Sequence, residues 1–256
     1  MKKYLFSMFA MVGLAMATTC SLALLTACDD DDDDLTETVN DDSSDTETDD
    51  TSNDSSDTDS DDSSSDSSTS TTGTVNGYEY VDLGLSVKWA TKNVGAASAT
   101  AYGYYLAWGE ISQKSSYTTS TSKTYGVDIE DISGNATYDA ATAKWGSPWR
   151  MPTYDEMEEL VNECTWTWVR TSLGENPAGY MRVEGPNGNS IILPAAGYYY
   201  STSVESEGTF AEYWSSTPTD YNGNAYTLHI TYYNKDSGSI SYSTRYYGNS
   251  VRPVTD

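Results

Sequence analysis

Basic residues are scarce in this chain, and their scarcity bears on its partners. Lys and Arg number 13 against 39 Asp and Glu, and no base occurs between Asp29 and Asp66. Nucleic acids are bound by clustered Lys and Arg that replace their counterions, and an anionic membrane surface attracts the same residues. We therefore predict no nucleic-acid partner and no contact with a membrane through basic side chains.

Cysteine and histidine are also few, which limits the available chemistry. Only one of the three cysteines, Cys164, lies beyond residue 28, and we predict it on the buried stripe of a helix. His229 is the single histidine and is predicted on the surface of a strand. Phosphate loops, HExxH, Cys-x-x-Cys and Gly-x-Ser-x-Gly do not occur. We predict no catalytic residue and no metal site, although two carboxylates suffice for glycoside hydrolysis.

The N-terminus has the features of an export signal. Lys2 and Lys3 precede an apolar run from Tyr4 to Leu25, which taken alone also fits a membrane-spanning helix. The sequence Leu25-Thr26-Ala27-Cys28 resembles the lipobox of bacterial lipoproteins and favours a cleaved signal. We predict a signal peptide over residues 1–27 and lipidation of Cys28, so that the lipid alone holds the protein to a membrane.

An acidic stretch follows the lipidated cysteine. Asp29–Asp34 resemble the surface-export signal of lipoproteins from the Bacteroidota, which predicts a surface-exposed position on the bacterial outer membrane. Two alternatives are a plain acidic spacer and a signal for retention at the inner membrane. From Leu35 to Gly73 the chain is almost wholly Asp, Ser, Thr, Glu and Asn, so residues 28–73 are predicted to form a disordered tether.

Residues 74–256 predict a folded α+β domain, with one or two short helices on mixed or antiparallel strands. One helix is expected over Asp139–Trp145, with Asp139 as N-cap and Gly146 as the stop. A second begins at the capping box Thr153-Tyr154-Asp155-Glu156. Its core-facing stripe consists of Met157, Leu160, Val161 and Cys164.

Short alternating runs predict the strands, and polar stretches predict the connections between them. The strands are expected at Tyr78–Leu83, Ser86–Thr91, Ala101–Trp108, Tyr180–Glu184, Ser190–Leu193, Ala225–Tyr232, Ser239–Ser243 and Ser250–Val254. The first two form either a hairpin or one broken strand. A surface loop is expected over Ser112–Gly126 and turns over Pro186–Asn189 and Asn234–Gly238.

Several motifs carry a resemblance to a known family. They are Tyr80–Thr91 (YVDLGLSVKWAT), Trp145-Gly146, Trp149–Thr153 (WRMPT), Leu193–Gly197 (LPAAG), Tyr213–Ser216 (YWSS) and Ser250–Val254 (SVRPV). Together they resemble the Fibrobacter succinogenes major paralogous domain, FISUMP, over Val75 to Val254. The resemblance implies a C-type-lectin-like fold, related to that of formylglycine-generating enzymes, in secreted and surface proteins of gut and rumen bacteria.

The same resemblance bears on individual residues. The tryptophans that lie inside the family's framework motifs are expected to pack the core, and they are Trp89, Trp108, Trp145, Trp149 and Trp214. Arg150 and Arg252 are expected to be buried or semi-buried partners of carboxylates or carbonyls. Lys92 stands where relatives usually have cysteine, so a pair with Cys164 is missing. The reactive cysteines of formylglycine generation are absent from the C-terminal end.

Glu184-Gly185-Pro186-Asn187 only approximates the calcium-binding triplet of C-type lectins, and their Trp-Asn-Asp element is missing. No cofactor is therefore predicted, with calcium as an alternative.

Tyrosine is abundant where the other functional residue types are few. Residues 198–247 contain eleven of the 22 tyrosines, interleaved with Asn, Ser, Thr and Gly, a composition shared with antibody binding loops. We predict ligand contacts at Tyr200, Tyr221, Asn222, Asn224, Tyr233, Asn234, Tyr242 and Tyr246. The predicted function is a surface-displayed, non-catalytic lipoprotein that binds a glycan or protein ligand. The alternatives are a glycan-processing enzyme and a structural protein of the cell envelope.

Overall fold

The computed structural model describes residues 71–172 and 178–256, which form a mixed α+β fold with mostly antiparallel strands. The signal peptide, Cys28 and the tether up to residue 70 lie outside the described residues. The helices are α1 (Ala140–Trp145) and α2 (Tyr154–Glu163), with a 3-10 turn at Thr119–Thr121. The strands are β1 (Thr72–Val75), β2 (Tyr78–Val81), β3 (Lys88–Ala90), β4 (Thr165–Arg170), β5 (Gly179–Glu184), β6 (Ser190–Pro194), β7 (Tyr198–Tyr200), β8 (Ser203–Glu205), β9 (Phe210–Pro218), β10 (Asn224–Thr231), β11 (Asn234–Thr244) and β12 (Val254–Thr255).

The strands form small antiparallel sheets. Their orders are β1-β2-β3-β12, β11-β10-β9, β4-β5-β6 and β7-β8. In the first sheet Tyr80 lies opposite Ala90, so the first two predicted runs form a hairpin. Val254 of β12 pairs with Trp89 of β3, which brings the end of the chain to the beginning of the fold. Strand β1 begins at Thr72, two residues before the domain start expected from composition.

The sheet of β9, β10 and β11 contributes buried side chains from both of its faces. Neighbouring residues of β9, Tyr213 and Trp214, are both fully buried, and they belong to two different hydrophobic clusters. In β10, Leu228 and Ile230 enter the first cluster and Ala225 enters the second. The first cluster also contains side chains of α2 and β4–β6, and the second contains those of α1 and the irregular chain around Trp108. The central sheet is therefore the layer between two cores.

This burial explains where strand prediction failed. Polar and apolar residues alternate in a strand that has one solvent-exposed face. Strand β9 shows no such alternation, because both of its faces are buried at Tyr213–Ser216. Strands β4, β7 and β8 were also not predicted. His229 was predicted on the surface of a strand, but it is half-buried and lies on the same face of β10 as the buried Ala225 and Thr227.

Three other expectations are wrong. The predicted strand Ala101–Trp108 is irregular chain with one bridge, from Leu106 to Asn249. Residues 234–238 lie inside β11, because the turn occurs one step earlier, at Tyr232-Tyr233. Only Val254 of the predicted last strand lies in a ladder, and the chain before it is held by contacts to distant segments.

Both helices begin where local signals place them. The Asp139 carboxylate accepts hydrogen bonds from the amides of Ala141 (2.8 Å) and Thr142 (3.1 Å), which caps α1. It also accepts from the amides of Gly134 (2.8 Å) and Met151 (2.9 Å), so it joins three segments. Burial raises the pKa of Asp139, and these hydrogen bonds oppose the rise.

The capping box of α2 is confirmed and extends further than predicted. The amide of Glu156 donates to Thr153 Oγ1 (3.3 Å), and the amide of Thr153 donates to Glu156 Oε2 (2.8 Å). The same carboxylate receives two hydrogen bonds from Arg150, at 2.8 and 2.6 Å. Arg150 is thus half-buried and paired with a carboxylate, as the sequence indicated.

Cys164 differs from the prediction in degree of burial. It is the C-cap of α2 rather than a residue within the helix, and it is half-buried. Desolvation raises the pKa of its thiol to about 11, so the thiol is protonated at neutral pH. The five framework tryptophans are buried as expected.

We expect Thr153→Ala to lower the free energy of unfolding by about 1 kcal/mol, because the N-cap hydroxyl is lost. Urea unfolding followed by circular dichroism measures this change. Asn162→Ala, at an exposed position near the other end of α2, serves as the control and should change stability by less than about 0.5 kcal/mol. Equal effects of the two substitutions would contradict the capping role.

Candidate binding groove

Two open depressions lie next to each other at the surface and share Tyr226 as a lining residue. The first, of about 370 Å³, is lined by Asp131, Thr153, Tyr154, Asp155, Thr217 and Tyr226. The second, of about 340 Å³, is lined by Thr219, Asp220, Tyr221, Asn224, Tyr226 and Tyr242. We call these eleven lining residues the tyrosine groove.

The strand register and the start of α2 place the aromatic rings of the groove. Tyr226 of β10 lies directly opposite Tyr242 of β11, so their side chains share one face of the sheet. Tyr154, the first residue of α2, packs edge-on against Tyr226 with a centroid distance of 4.7 Å. Its hydroxyl donates to Glu158 Oε1 at 2.9 Å, and this hydrogen bond raises the pKa of Tyr154.

A tight turn between β9 and β10 presents Tyr221. The amide of Asn224 and the hydroxyl of Thr219 both donate to the Tyr221 carbonyl, at 2.9 and 3.0 Å. A Cβ at Gly223 would lie 2.4 Å from the Tyr221 ring and 2.9 Å from the Tyr125 ring, so a larger residue there would displace these rings. The rings of Tyr221 and Tyr242 are each 62% exposed.

The groove carries negative charge. Asp131, Asp155 and Asp220 line it, and its lining contains no Lys or Arg. Asp131 is held in place, since its Oδ2 accepts from Thr217 Oγ1 (2.6 Å) and Ser216 Oγ (3.1 Å), and its Oδ1 accepts from the amide of Ser133 (2.8 Å).

A buried arginine fixes the loop beneath this end of the molecule. Arg245 is fully buried, and its side chain donates to the carbonyls of Val127 (2.8 Å), Asn224 (3.0 Å) and Thr124 (3.3 Å). Its guanidinium lies 4.2 Å from the centre of the Trp108 ring. Desolvation lowers the pKa of Arg245, and nearby Asp128 opposes that effect. Arg245 therefore joins the loop that carries Tyr125 to the turn that carries Tyr221.

A series of edge-to-face tyrosine contacts continues from the groove toward β7. Tyr125 packs against Tyr246 (5.3 Å between centroids), Tyr246 against Tyr247 (5.0 Å), and Tyr247 against Tyr200 (5.2 Å). Of the residues predicted to contact ligand, Tyr221, Asn224 and Tyr242 thus line the groove. Asn222 follows Tyr221 in the turn, and its carbonyl accepts from the amide of Gly126 (2.9 Å). Tyr246 and Tyr200 belong to the adjoining series of edge-to-face tyrosines.

Tyr233 and Asn234 lie elsewhere, at the opposite end of the β10–β11 hairpin. Strand β10 has eight residues, so the two ends are separated by about 3.3 Å per residue, or roughly 25 Å. Tyr233 packs on Tyr232 with 5.7 Å between the ring centroids. Lys235 and Arg170 lie over the Tyr232 ring, at 4.6 and 5.4 Å from its centroid. This end is basic, whereas the groove is acidic. The structure therefore divides the predicted contact residues between two sites of opposite charge.

Sequence reasoning missed four residues that build the groove. Tyr154 was interpreted only as part of a capping box and Tyr226 only as a strand residue. Asp131 and Arg245 were not singled out. Their roles depend on partners more than 60 residues away, such as Thr217 for Asp131 and Thr124 for Arg245. No local pattern marks such contacts.

The single histidine shows no arrangement for nucleophilic catalysis. His229 lies between Glu212 of β9 and Ser239 of β11, but its side chain forms no hydrogen bond to either of these described residues. It packs on Phe210 at 4.6 Å, and desolvation lowers its pKa. Burial raises the pKa of Glu212, which accepts a hydrogen bond from Asn249 at 3.1 Å.

The residues that approximate a calcium triplet make other contacts. Glu184 pairs with Arg182 at 2.6 Å, and Asn187 Nδ2 donates to the Asp82 carbonyl at 2.9 Å. Within residues 71–172 and 178–256, no three His, Cys, Asp or Glu side chains gather as a metal site would require. In the same part of the chain, no helix has the length and apolar character needed to cross a membrane.

Comparison with known proteins identifies no relative. No family model, curated protein or solved structure matches the chain.

We expect Arg245→Lys to lower the free energy of unfolding by about 2 kcal/mol or more, because lysine cannot reproduce the forked hydrogen bonds and would leave buried carbonyls without donors. Chemical denaturation measures the change. Arg182→Lys is the matched control, since that arginine forms an exposed ion pair, and it should cost less than about 1 kcal/mol. Similar costs at both positions would show that Arg245 does not hold the loop.

Proposed function

We propose that this chain is a surface-displayed lipoprotein whose C-terminal domain, C-type-lectin-like and of the FISUMP type, binds a glycan or protein ligand without catalysis. Cys28 would carry the lipid, and the acidic tether would hold the domain away from the outer membrane. The tyrosine groove would be the binding site.

The observation that carries this proposal is the exposure of aromatic rings at one place. Tyr221 and Tyr242 are among the most exposed large side chains of the described residues, although such rings usually bury much of their surface. They line a depression whose other members are Tyr226 and the short polar residues Thr219, Asp220 and Asn224. Aromatic rings beside short polar side chains suit both sugar rings and protein surfaces, because they combine stiff contact area with hydrogen bonding.

The alternative of a glycan-processing enzyme has one supporting observation, since Asp131 and Asp155 line the same depression. Two carboxylates at a sugar site are the minimum for glycoside hydrolysis. Binding is favoured because both oxygens of Asp131 already accept hydrogen bonds from Ser133, Ser216 and Thr217. Asp155 lies exposed in the first turn of α2, where a carboxylate stabilises the helix.

Single substitutions in the groove should separate binding from folding. Once glycan and extracellular-matrix arrays supply a ligand, we expect Tyr221→Ala or Tyr242→Ala to weaken binding by about 2 kcal/mol, roughly 30-fold, because a few aromatic residues dominate such surfaces. Isothermal titration calorimetry measures the affinity, and thermal melting checks that the fold is retained.

Tyr233→Ala provides the matched control, because that tyrosine is 80% exposed at the other end of the hairpin. Its affinity should equal that of the unaltered chain. If Tyr233→Ala abolishes binding while the groove variants bind normally, the binding site lies at the basic end instead. Release of reducing sugar from the bound glycan would favour the enzyme.

The anchor has its own test. Cys28→Ala should release or mislocalise the protein, as measured by detergent phase partitioning, because the Cys28 thiol is the only acylation point. Cys20→Ala, inside the expected signal peptide, is the control and should partition like the unaltered protein. Membrane association that persists in Cys28→Ala would contradict lipidation at this residue.

A further inference from the structure

We propose that the tyrosine groove binds an organic cation, an alkylammonium group carried by the ligand. The inference rests on the proposed function, in which this groove is the binding site, and it specifies the chemical class of the group that the groove takes.

The rings of the groove, like most of the described tyrosines, have no Lys or Arg over them. Elsewhere in the described chain, Lys or Arg lies over the rings of Tyr78, Tyr80, Tyr104, Tyr117 and Tyr232, at centroid distances between 4.6 and 5.9 Å. Among the described residues, none lies over Tyr154, Tyr221, Tyr226 or Tyr242. Tyr221 and Tyr242, each 62% exposed, therefore have ring surface that a ligand cation can occupy.

The charge of the lining favours the same occupant. Asp131, Asp155 and Asp220 contribute three carboxylates with no basic residue between them. An anionic ligand would be repelled, and a neutral one would gain nothing from these charges. A positive group is attracted both by the carboxylates and by the negative faces of the rings.

The start of α2 also lines the groove, and a helix N-terminus by itself favours anions. Here two of its first three amides already have partners. The amide of Tyr154 donates to Thr217 Oγ1 at 3.0 Å, and that of Glu156 donates to Thr153 Oγ1 at 3.3 Å. The first turn carries the carboxylates of Asp155 and Glu156, which offset the helix dipole. The helix therefore does not reverse the preference for a cation.

Two probes of equal shape test the inference. Choline carries a trimethylammonium group, and 3,3-dimethylbutan-1-ol replaces its charged nitrogen with carbon. Ligand-observed NMR titration of the full chain, in a detergent without quaternary ammonium, measures both dissociation constants. We expect choline to bind at least tenfold more tightly than the neutral alcohol.

Variants then locate the site. Tyr242→Ala should weaken choline binding at least fivefold, and Asp220→Asn should weaken choline binding at least threefold while leaving the alcohol unaffected. Tyr233→Ala should leave both probes unchanged. Melting temperatures confirm that each variant is folded, and Tyr242→Phe, which retains the ring, should bind choline normally.

Two outcomes would overturn the inference. One is equal or absent binding of the two probes, and the other is choline binding that survives Tyr242→Ala. If glycans or proteins from the arrays bind and that binding depends on Tyr221 and Tyr242 while choline does not bind, the proposed function stands and the cation preference fails. If array ligands bind through Tyr233 instead, the proposed site itself fails.

Discussion

A central antiparallel sheet that packs against a hydrophobic cluster on each face sets the conditions that the rest of this structure meets. Tyr213 and Trp214 follow one another in β9 and point into different cores, so each face of the sheet needs its own cover. Helix α2 and the sheet β4–β6 cover one face with regular structure. The other face is covered by α1 and by long irregular segments, whose buried backbone groups need partners other than ladder hydrogen bonds.

Two buried arginines supply many of those partners. Arg252 is fully buried and donates to Asn93 Oδ1 (2.9 Å) and to the carbonyls of Ala90 (3.0 Å) and Ile192 (2.8 Å). Arg245 serves the loop before Asp128 in the same way. A guanidinium suits this task because its donors form a rigid fork and it keeps its charge. Burial costs are offset by several hydrogen bonds to each side chain and, for Arg245, by the Trp108 ring.

The same hairpin that completes the central sheet separates two surfaces. At one end, Tyr226 and Tyr242 share a face with the first turn of α2 and form an acidic groove. At the other, Tyr232 and Tyr233 lie with Arg170 and Lys235. The length of β10 keeps these surfaces apart, so a tyrosine-rich stretch that is continuous in sequence becomes two sites that differ in charge. A ligand that recognises one of them has no electrostatic reason to recognise the other.

Interactions between residues close in the chain could be predicted from the sequence. The Asp139 cap, the capping box at Thr153, the stop at Gly146 and the β5–β6 turn each depend on a few adjacent residues, and the α+β class follows from their distribution. The tyrosine-rich stretch marked the region that contains part of the groove.

Only the tertiary structure decided which tyrosines meet, because the pairing of Tyr226 with Tyr242 and the contact with Tyr154 depend on strand register and on a helix distant in sequence. The tertiary structure also determined that β9 forms a strand, because burial of both faces removes the alternation of polar and apolar residues. It determined the burial of Arg245 as well, because the carbonyls that accept its hydrogen bonds are distant in sequence.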